Sequence, residues 1–160
     1  MNRFLFESQS EAETDRLGAV LEAALPERVV IGLYGTLGAG KTRFVQAIAA
    51  AAGINRKDVT SPTFVLCQQY HGRRTIFHLD AYRIRDDDEF LELGVDEMFI
   101  SPALVLIEWA DRVESCLPQS RIDLTVSLRA DDVRLFELVD RQPTPSELIS
   151  TVERNLRTQA

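Results

Sequence analysis

The stretch VVIGLYGTLGAGKT, residues 29–42, decides the fold of this chain. Its first part, VVIGLY (29–34), is apolar at consecutive positions, which predicts a strand buried on both faces of a sheet. GTLGAGKT (35–42) fits the pattern GxxxxGK[ST], a P-loop whose backbone N–H groups surround phosphate oxygens at a helix N-terminus. KTRFVQAIAAAAG (41–53) is rich in alanine and ends in glycine, which predicts a helix after the loop. The stretch therefore predicts an α/β fold that binds phosphate.

The loop residues have different predicted roles. Lys41 is placed by the motif to reach the β- and γ-phosphates, and Thr42 to offer its hydroxyl to Mg²⁺. The remaining positions act through their backbone, because glycines let the chain curl without Cβ clashes. The predicted nucleotide-binding residues of the loop are Gly35, Thr36, Leu37, Gly38, Ala39, Gly40, Lys41 and Thr42. The alternative is a glycine turn that merely joins a strand to a helix.

Two predicted strands end in an acidic residue. TIFHLD (75–80) ends at Asp80, and ALVLIE (103–108) ends at Glu108. Ligands of open α/β sheets collect at the carboxyl ends of the strands, so both acids are candidates for the site. Glu108 follows the longer, wholly apolar run and is predicted to bind the metal with Thr42, directly or through water. Asp80 is then left for a second contact with the metal or for orienting the attacking water. A strand-end acid that only caps a neighbouring helix is the alternative for either residue.

Other polar residues near these strands have two interpretations each. TSPTFVL (60–66) is either a switch whose hydroxyls contact a γ-phosphate or a polar turn that introduces a strand. His78 shares a strand face with Asp80 and is either an acid or base of the site or a packed, hydrogen-bonded residue. Trp109 directly follows Glu108, so the indole either covers the nucleotide site or fills the core.

The remaining sequence supplies the outer elements of the fold. Ser8 and Glu11 form an SxxE capping box that predicts a helix from there to about Leu25. The other predicted elements are an edge strand RFLFES (3–8), a hairpin of FVLCQQY (64–70) with TIFHLD, a short helix in DDDEFLELGVDEMF (86–99), antiparallel strands RIDLTVSLR (121–129) and VRLFELVD (133–140), and a final helix PSELISTVERNLRT (145–158). The sequence therefore predicts one three-layer, P-loop NTPase-like domain over residues 1–160. Its central sheet is mixed and mostly parallel, with antiparallel edge strands.

Charge and composition limit the classes of function. The chain has 160 residues and a formal net charge of −7. A protein that binds nucleic acid by its own electrostatic attraction needs a positively charged surface, so this charge argues against that class. Cys67 and Cys116 are far apart and form no CxxC motif, as is typical of a reducing compartment. No apolar run approaches the length of a signal peptide's core or of a membrane span of about 20 residues. We therefore expect a cytoplasmic protein without a membrane partner.

The motifs together resemble one family. LGAGKT (37–42), SPTF (61–64), HLDAYR (78–83), ELGVDEMF (92–99) and LVLIEWADR (104–112) occur in this order and spacing. This combination resembles the TsaE (formerly YjeE) family, the bacterial P-loop ATPases of tRNA threonylcarbamoyladenosine biosynthesis, over essentially the whole chain. SPTF and EWADR are more specific than the P-loop, which many families share.

The resemblance implies a function and partners. A TsaE-like protein binds ATP or ADP with Mg²⁺, hydrolyses ATP slowly and works with the proteins TsaB and TsaD. Those partners attach threonylcarbamoyl to the anticodon-loop adenosine of ANN-decoding tRNAs. The ATPase supports repeated turnover, and contact with tRNA is expected only through the complex.

The resemblance also implies roles for single residues. The family's metal ligands correspond to Thr42 and Glu108, its essential acid to Asp80, its switch-like threonine to Thr63 and its tryptophan to Trp109. Together with Lys41, the residues Asp80, Glu108 and Thr63 form the predicted catalytic set.

The base-binding residues follow only from the family's tendency to close the adenine site with its N-terminal segment and a late strand. On that basis Ser10, Thr14 and Arg134 are predicted to contact the base. One position departs from the family: its loop commonly begins GDLGAGKT, whereas this chain has Thr36 in place of the acid. Because loop contacts to phosphate are mostly made by the backbone, only a side-chain role at this position is put in doubt.

Three other classes of function are alternatives to an ATPase. A small-molecule P-loop kinase needs an acceptor pocket and usually an arginine-bearing lid, and no long inserted segment supplies one. A GTPase needs an NKxD motif after a late strand, and NRKD (55–58) has the wrong order and place. A nucleotide-gated binding module without useful turnover is an alternative that the sequence does not separate from a weak ATPase.

Overall fold

The computed structural model describes residues 2–143 and 146–159. Its strands are β1 (Asn2–Ser8), β2 (Val29–Tyr34), β3 (Cys67–His71), β4 (Thr75–Asp80), β5 (Ala103–Glu108), β6 (Ile122–Ala130) and β7 (Val133–Asp140). Its helices are α1 (Glu11–Ala24), α2 (Lys41–Ala51), α3 (Asp87–Leu91), α4 (Val95–Ile100) and α5 (Leu148–Thr158). Two 3₁₀ segments, Arg56–Asp58 and Ala110–Cys116, complete the described elements.

The strands form a seven-stranded sheet in the order β1-β7-β6-β2-β5-β4-β3. The four central strands β6, β2, β5 and β4 are paired in parallel. Antiparallel pairings add β7 and β1 at one edge and β3 at the other. The prediction of a mixed α/β sheet with a parallel centre and antiparallel edges is therefore confirmed.

Helices cover both faces of the sheet. On one face α1, α2 and α5 pack against alternate residues of the central strands, among them Ile31 and Leu106. On the other face α3, α4 and the segment Ala110–Cys116 pack against the intervening residues, such as Val30 and Val105. Because both faces are covered, β2 and β5 need apolar residues at consecutive positions, which is the pattern that predicted them. The three-layer arrangement is confirmed.

Helix α1 begins two residues later than predicted. Its N-cap is Ser10, whose side chain accepts a hydrogen bond from the backbone N–H of Glu13 at 3.2 Å. Both Ser8 with Glu11 and Ser10 with Glu13 fit the capping-box pattern, so the choice depends on the neighbouring strand. Ser8 is paired with Arg134 in β7, which keeps its backbone extended and moves the start of the helix to the second box.

The strand predicted at 64–70 is shorter than expected. β3 starts at Cys67, because the preceding residues form a turn in which Leu66 donates its N–H to the carbonyl of Pro62 at 2.7 Å. Leu66 has a left-handed backbone with φ 69°, which ends the turn. The segment before β3 is therefore a loop beside the predicted site and not part of the sheet.

The predicted helix at 86–99 is divided into two. Gly94 has φ 82° and lies between α3 and α4, so the helical hydrogen bonding is interrupted there. The final helix is confirmed as α5, although Pro145, the first residue of the predicted stretch, lies outside the described residues.

The close packing of α1 on α2 depends on Gly18. A Cβ atom added there would lie 2.7 Å from the Cβ of Ala47 and 3.0 Å from its carbonyl carbon, which is closer than side chains pack. Gly18→Ala should therefore lower the free energy of unfolding by about 1–3 kcal/mol, although alanine favours a helix. Urea denaturation measures this change. Ala19→Gly, at an exposed neighbouring position, is the control and should cost about 0.5–1 kcal/mol through helix propensity alone. A stabilised Gly18→Ala variant would contradict the close approach.

Candidate functional site

The loop after β2 needs glycine for steric reasons. Gly35 has φ 145°, and a Cβ atom added there would lie 2.5 Å from the carbonyl oxygen of Val126 in β6. Gly40 has φ 114° and precedes the first residue of α2. The first N–H groups of a helix have no intrahelical partner and carry partial positive charge, which favours an anion. The loop therefore needs glycine at these two positions and leads directly into a helix N-terminus, where an anion would be favoured.

Lys41 is buried within this loop. Its Nζ donates to the carbonyl oxygens of Gly35 at 2.5 Å and Thr36 at 3.0 Å. The same nitrogen lies 3.9 Å from the centre of the Trp109 ring. Burial lowers the pKa of Lys41, and three nearby carboxylates oppose that shift. The lysine is thus held by the loop's own carbonyl groups and an aromatic face.

Thr42 and Glu108 are in direct contact. The Thr42 hydroxyl donates to the two carboxylate oxygens of Glu108, at 2.8 and 3.0 Å. Glu108 is buried at the carboxyl end of β5, and its Oε2 lies 2.6 Å from Nε2 of His78. Tyr70 contacts the other ring nitrogen of His78 at 3.2 Å. The structure thus brings the two predicted metal ligands together and shows His78 as a buried, hydrogen-bonded residue.

Asp80 organises the loop before β3. Its Oδ2 accepts hydrogen bonds from Ser61 at 2.7 Å and Thr63 at 3.1 Å, and its Oδ1 accepts from the backbone N–H of Tyr82 at 2.8 Å. Asp80 is also paired in register with Glu108, so the two strand-end acids are neighbours. The predicted catalytic residues Asp80 and Thr63 are therefore in contact with each other.

Trp109 lies at the rim of the site. Its backbone is left-handed, with φ 58°, at the point where β5 ends and the 3₁₀ segment begins. The indole is partly buried against the core on the α3 side and lies 4.9 Å from the Tyr82 ring, centre to centre. Since it also contacts Lys41, the tryptophan packs on the core and faces the loop at once. The core interpretation is therefore partly right, and that the indole covers a bound nucleotide stays a prediction.

The three residues predicted to bind the base lie together. Ser10, Thr14 and Arg134 line a cavity of about 390 Å³ that also includes Gly40 and Arg43. The hydroxyl of Thr14 is hydrogen-bonded to Ser8 at 2.8 Å, and that of Ser10 caps α1. Their hydrogen-bonding capacity is therefore partly used within the protein.

Two of the residues that line this cavity are arginines with incomplete hydrogen bonding among the described residues. One Nη1 atom each of Arg43 and Arg134 is buried and has no hydrogen-bond partner among the residues described. Arg43 was not among the residues predicted from the sequence, although it directly follows Lys41 and Thr42 and so lies in the first turn of the helix after the loop. Helical geometry alone brings such a residue close to the loop.

The donor set suits one particular kind of metal site. Among residues 2–143 and 146–159, no group of three or more histidine, cysteine, aspartate or glutamate side chains is arranged to bind a metal. Thr42 and Glu108 offer oxygen atoms only. Mg²⁺ is usually held by one or two such protein ligands together with substrate phosphates and waters. The residues therefore fit a magnesium ion that arrives with a nucleotide.

A larger cavity lies elsewhere in the molecule. It has a volume of about 730 Å³ and lies near the amino ends of β2 and β6, where Val29 and Ile122 contribute to its lining. None of the predicted site residues lines it, and in parallel sheets the ligand end is the opposite one.

The fold and the loop define a P-loop NTPase-like protein. In a comparison of structures, the crystal structure of Bacillus subtilis YdiB matches 99% of this chain and 97% of that one, with a TM-score of 0.78 and 27% identity. Residues 8–136 match the family model described as Threonylcarbamoyl adenosine biosynthesis protein TsaE. The chain belongs to the TsaE family of tRNA threonylcarbamoyladenosine biosynthesis proteins.

Similar sequences agree with this assignment. A "tRNA threonylcarbamoyladenosine biosynthesis protein TsaE" of Treponema pallidum is 39% identical over 79% of this chain and 93% of its own length. A protein of the same name from Bacillus subtilis is 36% identical over 84% of each chain. Within the described residues, no helix has the length and apolar character needed to cross a membrane.

The contacts of Asp80 predict a local effect of its removal. Asp80→Ala should speed backbone hydrogen exchange over residues 61–66, because charge-assisted hydrogen bonds to Ser61 and Thr63 are lost. Exchange followed by mass spectrometry measures this. Asp96→Ala, an exposed acid in α4, is the control and should leave that segment unchanged. Equal exchange in wild type and Asp80→Ala would contradict the role of this carboxylate in ordering the loop.

Proposed function

We propose that this chain is a Mg²⁺-dependent ATP-binding protein with slow ATPase activity, which supports TsaB and TsaD in threonylcarbamoylation of the anticodon-loop adenosine of ANN-decoding tRNAs. The contact between Thr42 and Glu108 carries the proposal. It places the hydroxyl of the phosphate loop and the acid of the neighbouring strand at one point, as a nucleotide-bound metal requires. Membership of the TsaE family supports the link to tRNA modification.

Each residue of the site has a proposed role. Lys41 leaves the loop carbonyls and pairs with the β- and γ-phosphates of ATP. Thr42 and Glu108 would hold Mg²⁺, directly or through water, and the ion would supply positive charge beside the phosphates. Asp80 orients the attacking water, and Thr63, already hydrogen-bonded to it, responds to the γ-phosphate.

The cavity beside Gly40 is proposed to hold the adenosine part of the nucleotide. Ser10, Thr14 and Arg134 line it, as expected for the base-binding residues. The Nη1 atoms of Arg43 and Arg134, which lack a hydrogen-bond partner within the described part of the chain, support the proposal, because such buried polar atoms are rare and a bound ligand would supply acceptors.

The surface around the loop supports a protein partner. Leu37 is 80% exposed, Phe64 83% and Val65 58%, although each is a large apolar residue. Leu37 lies in the phosphate loop, and Phe64 and Val65 lie in the segment ordered by Asp80. Exposed apolar residues grouped at a site mark surfaces that another protein covers. We infer that the TsaB–TsaD assembly contacts this surface in the cytoplasm and that tRNA is reached only through the assembly, since the net charge is −7.

A nucleotide-gated binding module without useful turnover is a second candidate. Both carboxylate oxygens of Asp80 already accept hydrogen bonds from Ser61, Thr63 and Tyr82. An acid held in this way orders the loop, whether or not it also orients a water. In this alternative, nucleotide binding alone would change the conformation of the loop.

ATP turnover by the purified protein, alone and with TsaB, TsaD and tRNA, tests the proposal. We expect slow, Mg²⁺-dependent hydrolysis that rises when the partners are added. Lys41→Ala should abolish it, because the contact to the phosphates is lost, whereas Lys57→Ala is the control at an exposed lysine and should not. Nucleotide binding without turnover in any mixture would favour the binding module, and no binding at all would overturn both candidates.

Trp109 should report the arrival of nucleotide. It is the only tryptophan in the chain, and its ring lies 3.9 Å from the lysine nitrogen that the phosphates would attract. Adding ADP or ATP with Mg²⁺ should therefore change the intensity or wavelength of its emission. The Lys41→Ala variant should show a smaller change at the same nucleotide concentration. An unaltered wild-type spectrum at saturating nucleotide would contradict the proposed movement of the lysine.

A further inference from the structure

A line of hydrogen bonds runs behind the proposed metal ligand. The Tyr70 hydroxyl contacts Nδ1 of His78 at 3.2 Å, and Nε2 of His78 contacts Oε2 of Glu108 at 2.6 Å. Glu108 in turn accepts from Thr42. The line therefore extends from the edge strand β3 across β4 and β5 to the first turn of α2.

The partners of His78 indicate where the protons of this line lie. A carboxylate only accepts hydrogen bonds, so Nε2 of His78 carries the proton that lies between it and Glu108. With Nε2 as the donor to Glu108, Nδ1 is the ring nitrogen left to accept, and the Tyr70 hydroxyl at 3.2 Å is placed to donate to it. Burial raises the pKa of Tyr70, which keeps this hydroxyl protonated as a donor.

Burial makes this arrangement specific. His78 is fully buried and Glu108 nearly so, so bulk water has little access to either side chain. Among the described residues, Thr42 and His78 are the side chains that donate to Glu108. If Thr42 turns its hydroxyl to a metal, His78 is the described side chain that still holds the carboxylate.

We propose that His78, fixed in its Nε2–H tautomer by Tyr70, is a positioning residue that holds Oε2 of Glu108 and leaves Oε1 directed to the magnesium of a bound nucleotide. This inference rests on the proposed function, because it assumes that Glu108 serves a metal there. Histidine and tyrosine do not touch the nucleotide in this arrangement, and they act only through the carboxylate. Hydrogen bonds to a metal-binding carboxylate fix its orientation and so raise the affinity for the metal.

Mn²⁺ binding to the protein–ADP complex, followed by electron paramagnetic resonance, tests the inference. His78→Leu removes the donor but keeps an apolar side chain in the buried position, and it should weaken Mn²⁺ binding by about 10- to 100-fold. Tyr70→Phe removes only the hydroxyl and should weaken it less, in the same direction. ADP affinity in EDTA should be unchanged in both variants, because their effect passes through the metal.

Two further variants separate positioning from general packing. His78→Gln can place an amide donor near Oε2 and should recover most of the Mn²⁺ affinity that His78→Leu loses. His71→Leu changes the only other histidine, which is exposed at the end of β3, and should bind Mn²⁺ as the wild type does. If His78→Leu does not fold, as judged by circular dichroism, the Mn²⁺ affinity of Tyr70→Phe and the proton position on His78 still decide the question.

Nuclear magnetic resonance of ¹⁵N-histidine gives a readout that needs no metal. With only two histidines in the chain, the signals of His78 can be assigned by comparison with His71→Leu. We expect a proton on Nε2 in wild type and a shifted Nδ1 signal in Tyr70→Phe. The opposite tautomer would leave Glu108 without this donor and would overturn the inference.

The outcomes distinguish this inference from the function on which it rests. Wild type that binds Mn²⁺ with ADP, together with unchanged Mn²⁺ affinity in the folded Leu and Phe variants, would overturn the positioning role alone. Wild type that binds no Mn²⁺ with ADP would overturn the proposed function and the inference together. Equal losses of Mn²⁺ and of metal-free ADP affinity would show that His78 supports only the packing of the site.

Discussion

The hydrogen bonds from Thr42 to the carboxylate of Glu108 join the two parts on which the site depends. Thr42 belongs to the first turn of the helix after the phosphate loop, and Glu108 ends a strand that is wholly buried. A carboxylate at such a depth is stable only when donors surround it, so its neighbours are constrained as well. His78 and Thr42 both meet this requirement. Thr42 and His78, which have proposed roles in the site, are thus also needed to stabilise the buried carboxylate of Glu108.

The arrangement of the strands brings the two buried acids to one edge of the sheet. β2, β4 and β5 are parallel and adjacent, so their carboxyl ends open at one edge of the sheet, where Asp80 and Glu108 stand side by side. The helix after β2 begins at this edge and brings its positive end towards the two acids. Lys41 adds a cation, which the loop holds through two of its own carbonyl oxygens. The positive charge of Lys41 and the negative charges of Asp80 and Glu108 are therefore close together, and each group already has hydrogen-bond partners within the protein. A phosphate would disturb this arrangement.

Much of the site could be predicted because its residues follow local rules. The loop pattern, the apolar strands and the strand-end acids are each recognised from a few adjacent residues. Arg43 was missed because nothing in its immediate sequence distinguishes it, and its importance comes from the cavity it lines with Arg134. The start of α1 was misplaced for a similar reason, since two capping boxes overlap and the pairing of Ser8 in β1 selects between them. The roles of these residues towards nucleotide and metal remain proposals.

The sequence by itself determined the order of strands and helices, the position of the phosphate loop and the family, because periodicity, glycine placement and motif spacing depend on residues close together in the chain. Only the tertiary structure decided which side chains meet. Tyr70, His78, Glu108 and Thr42 come from four different elements, and their contact depends on the sheet order and on the depth of each strand. It also decided that Trp109 both packs on the core and covers Lys41. Such choices depend on burial, which is a property of the whole packed molecule and cannot be assigned to a short stretch of sequence.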